Sequence, residues 1–497
     1  MNHSFSTCPL PLPVTPQDTW IPLAALERME RTRYDVLIIG TGAGGGAALW
    51  RLCNQWRGTG RKIGIIDAGG LLIPSHVWNV PTLNRGRWFD YMYNPRILRT
   101  LGLTLPEFPG ARQLFALGGK TLTWGAVSPR MPVSELLQWS IPLREMDFYY
   151  SLAEKVMKVT QTYTSGSAIT QILLKRLWQN GFVDAREIPM AVDMTATQYG
   201  EVHSNAFFSS ISFFAEALNL MSFDLAVEAR AVQIHVEKGN VSGITAMSKE
   251  GKAYALEAEN IVLAGSTFET PRLLLHSGIP GPAIGHYLTN HTSLMTVIPL
   301  SVKGFPEVLG TLGILYPALE GRPFQLQIQG PGTFAWYPQY EEKPVREDWE
   351  VRLLSFGRVE SRFENRVMLD ENRKDFYGVP EIQVQFSYSD KDREVIALMA
   401  DSIRKATNAI RGETDEGSLP SLCLALSGSD NHESGTCRIG NDPLTSAVNP
   451  FGQLHGIRGL YVSDNSVLPT SGAANPTLTT VALAIRTADY LLEMMKG

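Results

Sequence analysis

The sequence predicts an α/β protein: a doubly wound, parallel-stranded dinucleotide-binding unit joined to a second region with a largely antiparallel sheet. Three observations carry this. The apolar run YDVLIIG at 34–40 leads straight into the glycine-rich TGAGGGAALWRLCNQW, the order of a strand buried on both faces, a tight turn and a helix. A second apolar run, KIGIIDAGG at 62–70, ends in Asp67 and completes a βαβ opening. Further along, FQLQIQG and EIQVQFSYS alternate polar and apolar residues, the pattern of antiparallel strands with one polar face.

Residues 1 to 30 read as an N-terminal arm, Pro-rich at first, with a short helix expected in IPLAALERMERT. The start has prolines where a secretion signal needs an unbroken apolar run, and no stretch reaches the length of a membrane span. A cytoplasmic protein is therefore expected. The 497 residues exceed one simple core and imply more than one domain. The net charge of −5 gives no reason to expect nucleic acid or an anionic membrane as partner. Cys8, Cys53, Cys423 and Cys437 show neither a CxxC nor a disulfide framework. The segment from about 135 to 220 mixes helical stretches such as EMDFYYSLAEKVMKV with loops. From 222 onward FDLAVEARAVQIHVEKGNVSGITAM reads as a hairpin turning at EKGN, followed by ALEAENIVLAG. Near the C-terminus, NPTLTTVALAIRTADYLLEMMKG has helical length. Asn475 suits its N-cap and Pro476 its first position.

Gly40, Gly42 and Gly45 form GxGxxG between the first strand and the first helix. Such a turn lets backbone approach a pyrophosphate closely, with helix N–H groups aimed at it. Gly44 lies in the same turn. Asp67, at the end of the next strand, is placed to accept hydrogen bonds from a ribose. The motif by itself leaves FAD and NAD open.

RQLFALGGKTLTWGAVSPR at 112–130, IVLAGSTFETPRLLLHSGI at 261–279, IGHYLTNH at 284–291 and the long block HESGTCRIGNDPLTSAVNPFGQLHGIRGLYVSDNSVLPTSGAANPTLTT at 432–480 follow in order. With the N-terminal fingerprint, the chain resembles the glucose–methanol–choline (GMC) family of FAD-dependent oxidoreductases. The resemblance is thinnest over 1–30 and about 135–220. It implies FAD as cofactor and a discontinuous FAD-binding domain over 31–135, 222–290 and 430–497. A substrate domain would then comprise 136–221 and 291–429.

The sequence departs from the family's pattern at three points. Asp67 stands where many members have Glu, and Leu49 where Ala is usual. Thr123 precedes Trp124 where some sugar-oxidising members carry a flavin-linked His, so FAD is expected to be held without a covalent bond.

The resemblance also implies the site. Members pass a hydride from an alcohol carbon to flavin N5, which requires a base for the hydroxyl proton. His432 matches that base, and a neutral imidazole suits the task. Asn475 matches its neutral partner, although the bland alternative is a helix cap. Gly119, Thr123 and Trp124 match the loop beside the isoalloxazine, and Asp464 a position near the ribityl and phosphates. Pro476 and Thr477 would open a helix aimed at the flavin.

Of the remaining reactive groups in SDNHESGTCRIG, Cys437 is expected to be packing, and Asp430 and Glu433 solvated or behind the site. No metal is expected, because His432 and Cys437 lack further ligands at zinc-site spacing. His291 matches a structural position and is given no chemistry. Gln325, Gln327, Gln329 and Gln383 would suit a polyol if they line the cavity, and would have no role if they face water. A sugar or glycoside substrate is expected. The alternatives are another alcohol (amino sugar, aliphatic or sterol-like) or lyase chemistry on the same scaffold. Oxygen or a quinone-like acceptor would fit, as would a homo-oligomer.

Overall fold

The structure, a computed structural model, describes residues 20–80, 98–100, 107–194, 206–301, 303, 305–306, 309–330, 348–411 and 421–496. Residues 1–19 of the arm lie outside this set, and the short helix expected after them is Leu26–Met29.

Five parallel strands form the heart of the first sheet. In spatial order they are Asp224–Ala226, Ile63–Ile66, Tyr34–Ile39, the C-terminal half of Ala253–Leu263, and Leu460–Val462. The first two strands of the sequence read as unbroken apolar runs because both faces of this sheet are covered. Val36, Ile38, Ile63 and Ile65 pack with Leu49, Leu52 and Leu491 on one side. Leu37, Ile39 and Ile66 join Leu274 and Ile244 on the other. Leu49, the departure noted in sequence, is fully buried there. The helices Ala43–Gln55 and Thr477–Met494 supply the first covering layer. The strands Ala229–Glu237 and Asn240–Ser248 run antiparallel to the N-terminal half of Ala253–Leu263 as a meander. Their turn is the expected one: Lys238 and Gly239 both have positive φ, 50° and 78°, as in the hairpin turn whose twist matches the strands.

The second sheet is antiparallel. Its order is Cys423–Leu424, His291–Ser301, Asp348–Arg358, Phe324–Gly330, Leu312–Tyr316 and Arg186–Glu187. Leu294, Ile298, Leu326, Ile328 and Leu353 on one face pack against Met399 and Ile403 of the helix Asp390–Arg411. The other face carries the glutamines. Between 136 and 221 the chain supplies the helices Leu143–Met157, Ala168–Gln179 and Ile211–Leu218.

Of the two readings left open for the glutamines, the solvent-facing one fails for Gln325 and Gln327, which are 1% and 2% exposed. One expectation is corrected: Gln383 does not share their face. Its strand, Pro380–Gln385, pairs with Arg366–Lys374 as a separate two-stranded hairpin. Ile382 and Val384 of that hairpin pack with Phe268 and Leu288. Alternation reveals which residues share a face but not which sheet a strand joins. Among the described residues no helix is long and apolar enough to cross a membrane.

The first helix begins hard against the C-terminal block. A Cβ on Gly44 would lie 1.6 Å from the Ser463 carbonyl oxygen, and one on Gly45 2.0 Å from the Gly40 carbonyl oxygen. Backbone cannot rotate aside as a side chain can. Gly44→Ala is therefore expected to destabilise the protein by about 1–3 kcal/mol, measured as a lowered urea midpoint with the slope unchanged.

Candidate active site

A cavity of about 520 Å3 lies beyond the C-terminal ends of the parallel strands, a volume within the usual range for cofactor sites. Gly40, Gly42, Gly44, Asp67, Gly119, Thr123, Trp124, Asp464, Asn475, Pro476 and Thr477 all line it. Of the dinucleotide residues expected from sequence, only Gly45 does not, because it packs beneath Gly40.

The lining fits a dinucleotide. A Cβ on Gly42 would meet nothing within 4 Å, and the nearest neighbour of one on Gly119 would be the Gly42 Cα, 3.4 Å away. Two facing glycines thus leave free space where a pyrophosphate needs close backbone approach. The Gln113 side-chain oxygen, buried on this wall, has no partner in the protein. Asp67 accepts from Thr41 N–H (2.9 Å), Thr41 Oγ1 (2.5 Å) and Gly69 N–H (2.7 Å), and burial raises its pKa to about 6. Asp464 organises the opposite rim by accepting from the N–H groups of Ser266 and Ser466, each at 2.9 Å, and from Thr270 Oγ1 at 2.5 Å. It thereby holds Ser266 at φ 91°, a conformation costly for a residue with a Cβ.

At the far end of this cavity, His432 is held on a loop tied down at several points. Asn431 takes positive φ (60°) just before it and Gly435 (93°) just after. A side chain on Gly435 would strike the Tyr287 carbonyl, 2.3 Å from its Cβ. Thr267 Oγ1 donates to the Glu433 carbonyl and Thr436 Oγ1 to the Thr267 carbonyl, both at 2.6 Å. These bonds account for the Gly and Thr of the HxxGT spacing.

Hydrogen-bond direction then settles the imidazole. His291 Nε2 lies 3.0 Å from the Ser471 carbonyl oxygen, which only accepts, so Nε2 of His291 carries the proton. Burial pushes His291 down to about 4, so its ring is neutral and its Nδ1 is a lone pair. That Nδ1 is 2.9 Å from His432 Nδ1, which must donate. His432 Nε2 is left bare. A second chain of bonds gives the same answer. Gln325 and Gln327 both donate to Asn475 Oδ1, at 2.8 and 2.7 Å. The Asn475 amide nitrogen therefore faces His432 Nε2, at 3.4 Å, as donor to acceptor. Burial, His291 and Lys120 together hold His432 well below its ordinary pKa.

Several open sequence readings narrow at this point. Of the two places allowed for Asp430 and Glu433, solvent or behind the site, the structure puts both behind the site. The Asp430 side chain is 1% exposed and sits 3.6 Å from His432 Nδ1, accepting from His291 N–H (3.0 Å) and the Asn290 amide (3.3 Å). Burial raises its pKa to about 6. Glu433 is buried against Lys120, 3.1 Å away. Asn475 does not cap the helix Thr477–Met494, which starts without a side-chain cap, because its amide is taken by the glutamines and His432. Gln325 and Gln327 each spend one amide hydrogen on Asn475, and Gln329 donates to Gln327 at 3.1 Å.

His291 and Lys120 are the residues that sequence reading missed as parts of the site. A histidine opening a strand carries no local mark of its partner across 141 positions. Donor atoms of His291, Asp430 and His432 come within 4.8 Å of one another, and the two imidazoles are joined by a hydrogen bond. Cys437 is fully buried and its thiol is pushed well above its ordinary range by burial, so it serves as packing.

The GMC oxidoreductase family matches over residues 94–293 with its N-terminal part and over 361–484 with its C-terminal part. C-glycoside 3-oxidase of Arthrobacter globiformis is 27% identical over 402 residues, 78% of this chain and 75% of that protein. Pyranose 2-oxidase of Tricholoma matsutake is 24% identical over 444 residues, 81% of this chain and 76% of that protein. The solved structure of a formate oxidase variant from Aspergillus oryzae superposes with a TM-score of 0.69 at 15% identity, covering 94% of this chain and 99% of that one.

Two outcomes follow from this geometry. Gly42→Ala, with open space for its methyl, is expected to leave the apoprotein's urea stability within about 0.5 kcal/mol while reducing the flavin absorbance that co-purifies. Gln327→Leu, which removes one of the two donors to Asn475 Oδ1, is expected to lower kcat about tenfold. Flavin content and KM should change little, and Gln327→Asn should rescue less than half of the loss.

Proposed function

Since this chain belongs to the GMC oxidoreductase family, we propose that it oxidises a hydroxyl of a sugar or glycoside to a carbonyl, with His432 taking the hydroxyl proton. It is an FAD-dependent oxidoreductase acting on CH–OH groups. The observation that carries the finer reading is the bare Nε2 of His432 on the cavity wall, its direction set independently by Ser471 and by Gln325 and Gln327. The names of two relatives, a C-glycoside 3-oxidase and a pyranose 2-oxidase, support a sugar or glycoside as substrate.

Bound FAD supplies the acceptor for the hydride that leaves the alcohol carbon. Gly42, Gly44, Gly119, Asp67 and Gln113 would hold it. Thr123, which lacks an imidazole, supports a cofactor held without a covalent bond. The N-terminus of the helix beginning at Thr477 lines the cavity, and its unpaired N–H groups favour negative charge there.

The protein's own residues handle the proton. Asn475 has one amide hydrogen directed toward His432 and can present the other to the substrate oxygen. His432 Nε2 accepts the hydroxyl proton. Once it does, the ring carries positive charge, and the Asp430 carboxylate at 3.6 Å stands beside it. His291 keeps accepting from Nδ1 throughout, so the ring cannot swivel and the proton stays at Nε2.

His432→Ala is expected to lower kcat/KM by about 10^2–10^4-fold while flavin content is retained, checked by anaerobic flavin bleaching against a sugar panel. Full activity in that variant would remove His432 from the mechanism. The pH profile gives a separate check. Because His432 titrates well below its ordinary value, it contributes no acid limb near pH 6.5. Asp430, raised to about 6, assists only as the carboxylate, so the rate should fall as pH drops through about 6. In Asp430→Asn that limb is expected to vanish, with kcat lowered about tenfold at pH 8.

A further inference from the structure

Among the described residues, two lysine or arginine side chains line the cavity, Lys120 and Arg230. Arg230 belongs to the ribose end, where the N–H of its neighbour Ala229 donates to the Asp67 carbonyl at 2.8 Å. It is buried, and Glu269 at 2.6 Å and Asp375 at 3.6 Å answer its charge. Lys120 belongs to the other end. Its ammonium donates to both carboxylate oxygens of Glu433, at 3.1 and 3.3 Å, and Glu433 directly follows His432. Burial, His291 and Lys120, in that order, hold His432 below its ordinary pKa, so the charge of Lys120 is felt at the imidazole.

The Lys120–Glu433 pair is not symmetrical. The Glu433 side chain is 4% exposed and that of Lys120 33%. The carboxylate is therefore the inward end of the pair, and the ammonium is the end presented to the cavity. Both ends are fixed. Lys120 sits on the short turn Gly119–Leu122, where its carbonyl accepts from Thr123 N–H at 3.1 Å and Thr121 Oγ1 donates to the Gly118 carbonyl at 2.6 Å. The Glu433 carbonyl accepts from Thr267 Oγ1 and from the Asn465 amide. The result is an oriented dipole with its positive end on the cavity wall. Water screens such a charge while the cavity is empty. A cofactor that fills the cavity displaces this water, and the charge then acts at a much lower dielectric.

Reduction of a flavin by two electrons with uptake of one proton leaves its ring with one negative charge. We propose that Lys120 sets the reduction potential of the bound flavin: its ammonium stabilises that negative charge, and the Glu433 carboxylate behind it attenuates the effect. The pair thus acts on the cofactor through its charge, in addition to tying the loop of Thr123 and Trp124 to the loop of His432. This inference rests on FAD as cofactor and is independent of which alcohol is oxidised.

The test is a redox titration of the FAD-loaded protein against a reference dye, without substrate, read from the flavin absorbance. Lys120→Met is expected to lower the midpoint potential by at least about 30 mV, a tenfold change in the equilibrium constant of a two-electron couple. Glu433→Gln, which removes the opposing carboxylate, is expected to raise it. Lys120→Arg keeps the charge and should stay within about threefold of the wild type in that constant. A role confined to holding the two loops together gives no such opposition, because either loss breaks the same ion pair. Thermal midpoints check the fold of each variant. A smaller fall in Lys120→Met, or a Glu433→Gln that fails to raise the potential, overturns the proposal. Should Lys120→Met not retain flavin, Glu433→Gln decides alone: a rise upholds the proposal, and an unchanged or lower potential overturns it.

Discussion

A backbone carbonyl accepts hydrogen bonds and never donates one. The chemistry of this site depends on that asymmetry at Ser471. Its carbonyl fixes the proton of His291 on Nε2, which makes His291 Nδ1 an acceptor, which in turn makes His432 Nδ1 a donor. His432 is left with its lone pair on Nε2, toward the cavity. On the other side, two glutamine amides can reach only the oxygen of Asn475 with their N–H groups, and so turn its nitrogen toward the same lone pair. Neither chain of bonds involves the cofactor. The imidazole is therefore oriented before any ligand arrives, which is the condition for the proposed proton acceptor to spend no energy reorganising during a reaction.

The fold brings these groups together from distant parts of the sequence. His291 opens a strand of the antiparallel sheet, His432 sits on a loop, Ser471 and Asn475 precede the last helix, and the glutamines lie on another strand of that sheet. Their meeting place is where the polar face of the antiparallel sheet closes over the cavity built by the parallel one. The antiparallel sheet thus has a buried polar face that its apolar pattern does not require. Burial makes each of its hydrogen bonds costly to lose, so the face is rigid where the reaction needs it to be. The same burial is the largest cause shifting all three groups toward their neutral forms: it lowers His291 and His432 and raises Asp430.

Much of the first sheet was legible in the sequence, because strands covered on both faces and a glycine turn leave local signatures. YDVLIIG, KIGIIDAGG and the EKGN hairpin became strands and a turn where the pattern put them. The GMC resemblance was equally legible, since its motifs are spread along the chain. The pairing of Pro380–Gln385 was not: alternation marks a face and is silent about the partner strand, which is why Gln383 was misplaced. For Asp430 and Glu433 the sequence left solvent and a place behind the site both open, because a short polar run looks the same in solvent and under a sheet. His291 carried no local sign, as its role exists only through a partner far along the chain. Asn475 had two valid readings, and tertiary contacts with Gln325 and Gln327 chose between them.

The orientation of the site rests on the tautomer of His432, which nitrogen NMR reads directly. In FAD-loaded protein labelled with 15N-histidine, correlations from ring carbon-bound protons to the ring nitrogens distinguish a protonated from a bare nitrogen. His432→Gln and His291→Gln variants assign the two rings. At neutral pH His432 is expected with Nδ1 protonated and Nε2 bare, and His291 with Nε2 protonated and Nδ1 bare. A proton on His432 Nε2, whether in the other tautomer or in an imidazolium, would contradict it.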